Sequence, residues 1–444
     1  MKKSENLPLL NFRGKARQFG SKTLRYVGQK GKQNIIIIGA TVVLFIIFSI
    51  INSGFSSGLN ILTMTRSVMP YAFLGLGVTF VIATGGIDLS IGTVCIASSV
   101  LAGTFYTAGM PLWMTIPCML IIGSLFGLLN GVLVAKLKLP AFIATLGTMM
   151  FSRGISAVIA KAAVDAVNIR YPVDSWMQKV FSNLNNFPIG LVWLVVITVI
   201  CMYLMYKSKL GRYILAIGSN EEAARLSGVR TDRYKILAYT ISGLFAGIAA
   251  IFWSASFPTI TTASGNGMEL DAIAGVYIGG TSSTGGIASI VGSVLGAMIL
   301  VIIRQGLSMT LGTIGSNISA THITYAITGI IVVGAVLLDV IKTRRMNRVR
   351  IEGKADHARR TAKERIEALK IKKDYILSER VDKAEKQARA AEVDREIAAI
   401  REKLAAELPA LKQEDELARQ ERAKQKQEAR RVEQEERKAS ERKK

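Results

Sequence analysis

Asp88, Arg153, Asp271 and Arg304 stand inside stretches otherwise made of apolar and small residues. Their side chains are of the types that bind, orient or exclude a polar cargo. Charge in such a setting is costly enough to demand a partner or a task. Nothing in their spacing forms a proton relay. Asp88 belongs to Gly85-Gly86-Ile87-Asp88-Leu89-Ser90-Ile91-Gly92. Three glycines around one acid, between two apolar runs, predict a broken or sharply turned helix. Irregular backbone at membrane depth survives only where protein or a water-filled path satisfies its polar groups. Asp88 is expected to cap the following helix, where a carboxylate meets free N–H groups and the positive dipole end. Direct contact with a ligand is the alternative.

Composition excludes other kinds of chemistry. His322 and His357 are the only histidines, and Cys95, Cys118 and Cys201 are scattered through apolar runs. No catalytic residue, disulfide framework or metal site is expected from them. A phosphate loop of the Gly-x-x-x-x-Gly-Lys-Ser/Thr type is absent, because Gly14-Lys15, Gly31-Lys32 and Gly353-Lys354 are each followed by the wrong residue. No cofactor is expected on this chain, and any ATP hydrolysis belongs to another one.

Two further segments carry pattern. In 207–235, Ser219 or Asn220 suits an N-cap, Glu221 and Glu222 suit a first helical turn, and Gly228 suits a stop about two turns on. A short capped helix with the small faces of Ala223 and Ala224 is shaped to dock in another protein's groove; an ordinary amphipathic loop reads equally well. In Met268-Glu269-Leu270-Asp271 and onward through Gly275, Gly279, Gly280, Gly285 and Gly286, the pair Gly292 and Gly296 is spaced four apart. Small residues at that spacing let helix backbones approach closely.

The elements that hold these residues follow from charge segregation. The 444 residues are 50% hydrophobic, yet the formal net charge is +24. Lys and Arg gather in the leader 1–33, where Glu5 is the lone acid, and after Lys342. Between them run charge-free stretches such as 89–135, 180–206, 236–268 and 272–303. Runs of about 18 or more apolar residues read as membrane helices. Ten spans are expected, near 34–52, 68–84, 89–108, 113–135, 142–160, 190–206, 236–256, 268–282, 287–304 and 322–341. The first is read as a retained helix, since no small-residue cleavage site follows it. The chain divides into a basic leader (1–33), a membrane domain (34–341), a basic junction (342–354) and a charged tail (355–444). The fold expected is all-α and polytopic, with broken or re-entrant segments. Basic clusters in the leader, at Lys136 and Lys138, in 207–235 and after Lys342 place both ends in the cytoplasm.

Gly-Gly-Ile-Asp-Leu-Ser-Ile-Gly at 85–92, Leu-Pro-Ala-Phe-Ile-Ala-Thr-Leu-Gly-Thr-Met at 139–149, Gly-Ser-Asn-Glu-Glu-Ala-Ala-Arg-Leu-Ser-Gly-Val at 218–229, and Glu-Leu-Asp-Ala-Ile-Ala at 269–274 with Gly-Gly-Thr at 279–281 occur in one order across about 40–340. They resemble the ribose/galactose/xylose permease family of bacterial ATP-binding-cassette importers. The resemblance implies an inner-membrane subunit that pairs with a second permease subunit, identical or not. A separate ATPase would carry ATP and Mg on the cytoplasmic face, and an extracytoplasmic binding protein would deliver a sugar. It makes Gly218, Asn220, Glu221, Ala223, Ala224 and Gly228 the ATPase-coupling residues. Gly85, Gly86, Asp88, Ser90, Gly92, Asp271 and Arg304 are then candidates for the translocation path or helix break. No specific nucleic-acid partner is expected. A nucleoside, polyol or sugar acid is the alternative cargo, and a membrane anchor acting through the basic tail is the rival class.

Three departures accompany the resemblance. Arg304 stands where the family commonly has Asn, which points to an anionic cargo or to an arginine snorkelling to the interface. The turn after Gly286 reads Ile-Ala-Ser, where the family is often glycine-containing or basic. The tail is extra. Its Ala, Glu, Lys, Arg and Gln content reads as helix, with Val393, Ile397, Ile400, Leu404, Leu408 and Leu411 as a short apolar seam. A solvated single helix, partly disordered, is expected there, or a short coiled coil with a copy or a partner.

Overall fold

The computed structural model describes residues 34–313 apart from 167, 174, 185, 186 and 258, scattered positions within 323–337, and residues 354–378 and 383–441. The leader, most of the tenth expected span and the junction before Lys354 lie outside the described residues. The chain divides after Arg345 into two units.

The first unit is helical. α1 (Asn34–Ile51) is apolar and mostly exposed. α2 (Gly58–Ala83) is the central helix, with Ser57 accepting from Asn60 N–H at its start. α3 (Ile91–Thr107), α4 (Thr115–Ala135) after a 3-10 turn, and α5 (Ala141–Val164) follow. A two-stranded antiparallel pair, β1 (Asn168–Arg170) with β2 (Thr259–Thr261), closes one end, Ile169 opposite Ile260. α6 (Trp176–Phe181) leads to α7 (Gly190–Tyr206), which meets α8 (Lys209–Ser219) at a 64° bend. α9 (Glu221–Leu226), α10 (Thr231–Ser256), α11 (Met268–Ile278) and α12 (Ile290–Thr313) complete the unit.

α2 buries large side chains such as Phe73, Leu76 and Phe80, but α4 and α5 turn small residues inward and large aliphatic ones outward. α4 buries Gly123, Gly127, Asn130 and Gly131 and exposes Ile121, Leu125, Leu128 and Leu129. α5 buries Ala144, Thr148, Ser152, Ser156 and Ala160, one every four residues, and exposes Phe142, Ile143, Phe151 and Val158. A lipid solvent gives no hydrophobic reason to hide leucine, so close backbone contact decides which face turns inward. A Cβ on Gly127 would lie 2.4 Å from the Tyr239 carbonyl oxygen, and one on Gly243 2.2 Å from the Gly123 carbonyl oxygen. α11 and α12 meet in the same way, with Gly275 and Gly279 against Gly296 and Gly292.

Two expectations change. Among the described residues six helices are long and apolar enough to cross a membrane, or seven if the bent pair α7–α8 is one span. α11 has 11 residues, about 16 Å of helix against a hydrocarbon core of about 30 Å. The stretch 268–282 is therefore a partial helix followed by a turn, not a complete span. Several helices also run past their expected ends, because charged residues that read as boundaries are paired. Arg66 inside α2 donates to Asn183 at 2.8 Å, and α10 begins at Thr231 with Asp232 bound to Lys138 at 2.7 Å.

The second unit is a helical hairpin, Lys354–Ser378 and Lys383–Glu441. Ala355 N–H donates to Asp415, and Lys373 pairs with Asp394 at 2.5 Å, so the two helices run antiparallel. Val393 and Ile397 are covered by Ile366, Leu369 and Ile376 of the same tail. The start of the apolar seam is thus satisfied within the chain, where a lone helix or a partner's coiled coil was expected.

Candidate functional site

The α2–α3 break is held by a buried carboxylate. α2 ends through Gly85, at φ +82°, a conformation natural to glycine. Asp88, 1% exposed, accepts from Ser90 N–H at 3.0 Å and from the Ser90 hydroxyl at 2.7 Å. Its other oxygen accepts from the Ser242 hydroxyl of α10 at 2.8 Å. Asn130 of α4 donates to Ser90 Oγ at 2.8 Å, and Tyr239 of α10 donates to the Ile87 carbonyl at 3.1 Å. Ser90 is the N-cap of α3 and makes no side-chain cap bond. Asp88 thus meets a free N–H at the start of α3, that of Ser90, from two residues before the helix, and it also ties the turn there to α10. Sequence reading missed Asn130, Tyr239 and Ser242. A lone Asn in the apolar run 113–135 was the available signal.

Next to the break lies the 207–235 segment, which holds one helix more than expected. α8 is capped by Ser208, which accepts from Gly211 N–H at 3.3 Å. Its end is pressed onto the end of α2: a Cβ on Gly218 would lie 2.0 Å from the Ala83 carbonyl oxygen and 2.4 Å from Gly286 N. Gly286 N–H in turn donates to that carbonyl at 3.0 Å. Gly85, Gly218, Gly285 and Gly286 thus meet at one junction. Asn220 caps α9 by accepting from Ala223 N–H at 2.9 Å. Gly228, at φ +82°, turns the chain after Ser227.

α9 is braced on α10. Glu221 binds Lys235 at 2.6 Å and Arg225 at 3.3 Å. Partial burial opposes ionisation of Glu221, but the Lys235 hydrogen bond and charge outweigh it and, with Arg225 and Lys138, hold its carboxyl below the usual range. Ala224, expected on the docking face, is buried inside the chain. The outward face carries Glu222, Ala223 and Leu226, and Leu226 is 85% exposed. Beside it opens a groove of about 720 Å³ whose lining includes Lys136, Arg225, Arg230, Asp232 and Arg233.

Asp271 and Arg304 form a third cluster, apart from the glycine junction. Arg304 of α12 pairs with Asp271 of α11, donates to the Tyr71 hydroxyl of α2 at 2.8 Å, and lies over the Tyr71 ring at 5.6 Å. Gln305 donates to Asn60 at 2.8 Å. Arg304 is therefore not a snorkelling side chain; its charge is met by Asp271. Gly92 lies elsewhere again, against Glu269, whose Oε2 would be 2.5 Å from a Cβ on that glycine. Among the described residues no three His, Cys, Asp or Glu side chains gather as a metal site.

Residues 59–336 match the family described as branched-chain amino acid transport system / permease component. The chain belongs to this permease family. It is similar to the ribose import permease protein RbsC of Bacillus subtilis, 35% identical over 67% of this chain and 89% of the relative. The RbsC of Haemophilus influenzae is 33% identical over 61% of this chain and 84% of the relative. The fructose import permease protein FruF of Bifidobacterium longum is 35% identical over 63% of this chain and 78% of the relative. No solved structure matches. The family match covers the permease unit and leaves the helical tail outside it.

Proposed function

We propose that this permease is the translocation subunit of an ATP-driven sugar importer, and that α9 is where a separate ATPase delivers force. The observation that carries the ATPase contact is Leu226. Leu226 stands 85% exposed on a short, capped, ion-paired helix beside a groove of about 720 Å³ with Arg225, Arg230 and Arg233 in its lining, and an apolar side chain rimmed by charge is the make-up of a patch that a partner covers. It fits a partner's groove. The names of the relatives, ribose and fructose import permeases, support a sugar as cargo. The family description supports a branched-chain amino acid as the second cargo to test.

The coupling follows from rigidity. A push on α9 passes through Glu221–Lys235 to α10 and through α8 to Gly218, which abuts the end of α2. Both routes reach the Asp88 turn, since α10 supplies Ser242 and α2 leads into it. The basic groove beside α9 suits an acidic rim on the ATPase. The basic clusters support a cytoplasmic position for this face and for both chain ends. A binding protein on the opposite face delivers the sugar, and a second permease subunit completes the path.

Photo-crosslinking tests the contact. With p-benzoylphenylalanine in place of Leu226, the permease should crosslink to its partner ATPase. The same group at Leu125, which faces outward on α4, should not. Equal yields at the two positions would remove α9 from the interface.

A further inference from the structure

We infer that Arg153, Asn266 and Glu269 form a subsite for the hydroxyl groups of a neutral sugar within the transport path. This rests on the reading of the chain as a sugar permease and names a place where the cargo is held. Arg153 lies midway along α5, so its guanidinium sits far from either end of that helix. It donates to Asn266 Oδ1 at 2.6 Å, just before α11. Glu269, in the first turn of α11, is 8% exposed. Its Oε2 and Arg153 Nε are both buried without a hydrogen-bond partner.

Arg153 holds the loop that enters α11 through Asn266, and no ion pair or hydrogen bond joins it to Glu269 among the described residues. Opposite charges on neighbouring elements, each with an unsatisfied buried atom, leave polar groups for something else to meet. Gly92 gives the carboxylate its room, since any side chain there would strike Oε2.

Polar contacts also join the elements around it: Asp88 holds Ser90, whose carbonyl accepts from Thr93 at 2.9 Å, and Thr93 accepts from Ser152 at 3.1 Å, so α3 and α5 are tied together where Gly92 and Arg153 stand. One carboxylate, one guanidinium and one amide together offer donors and acceptors with no net charge. That set matches vicinal hydroxyls and gives an anion or cation no preference.

The test uses the full complex of this permease with its ATPase and binding protein in proteoliposomes. Radiolabelled D-ribose, D-fructose, D-galactose and D-xylose serve as probes. Glu269→Gln and Arg153→Gln should each lower uptake about tenfold or more, the effect of losing a hydrogen bond to a charged group. ATP hydrolysis stimulated by loaded binding protein should stay within about twofold in both. A parallel fall in uptake and hydrolysis would mean that the residues only hold the fold, and would overturn the subsite. Asn266→Cys, with the native cysteines replaced, should react with a membrane-impermeant thiol reagent during ATP turnover, and the transported sugar should slow that reaction. No reaction at Asn266→Cys would also overturn it. If the unmodified complex carries none of the four sugars while Asn266→Cys reacts, the sugar reading fails, and this subsite's ligand class with it.

Discussion

Ser242 donates its hydroxyl to the Asp88 carboxylate at 2.8 Å, joining residues 154 positions apart. Asp88 receives only donors: two from Ser90, one from Ser242, and Asn130 at the limit of 3.5 Å. An amide in its place would turn an N–H group toward at least one of them. Asp88→Asn should therefore cost about 1–3 kcal/mol of stability, and Ser242→Ala less, about 1 kcal/mol. Thermal unfolding of the detergent-purified permease measures both. An unchanged midpoint for Asp88→Asn would mean that the turn is held by the glycines alone.

The α4–α10 contact makes a sharper demand. Gly127 and Gly243 face backbone, which cannot swing aside as a side chain can. Gly127→Ala should lower stability by about 1–3 kcal/mol or more, whereas Gly147→Ala should leave it unchanged, because nothing lies within 4 Å of a Cβ there. Yield and melting temperature of the two variants, compared side by side, decide the point.

Much of the first unit was legible from charge segregation, because apolar runs long enough to span have few other uses. The break at 85–92 was legible from its glycines, and the α9 cap from Asn220 and Glu221. What failed has one physical cause: sequence shows a charge but not its partner. Arg66 and Asp232 fell outside the expected spans 68–84 and 236–256, and Arg304 read as an anomaly; the structure places Asn183, Lys138 and Asp271 beside them. The inward turn of Ala224 was hidden for a similar reason. A six-residue helix has too little sequence to reveal which face it buries. The hairpin of the tail was missed because its apolar seam is completed by residues on the preceding helix.

The Glu221–Lys235 bridge sets a prediction with a defined sign. The folded state depresses the Glu221 pKa, so its stabilisation is complete above the unfolded carboxylate value of about 4.3. It is lost as pH falls through the depressed folded value. Both side chains are partly exposed, which limits the effect to about 0.2–1 kcal/mol. Hydrogen-exchange protection of α9 should be unchanged between pH 6 and 8, and Glu221→Gln should lower it up to a few-fold. Loss of protection in the unmodified protein near neutral pH would contradict this assignment.

ATP-dependent uptake by the reconstituted complex is the most direct measurement. Proteoliposomes containing the permease and its ATPase, supplied with the binding protein and labelled sugar, should accumulate sugar only when ATP is present on the ATPase side. Omitting any one of the three proteins should abolish uptake, and the permease alone should hydrolyse no ATP. Accumulation by the permease alone, driven by an ion gradient and indifferent to ATP, would contradict the account.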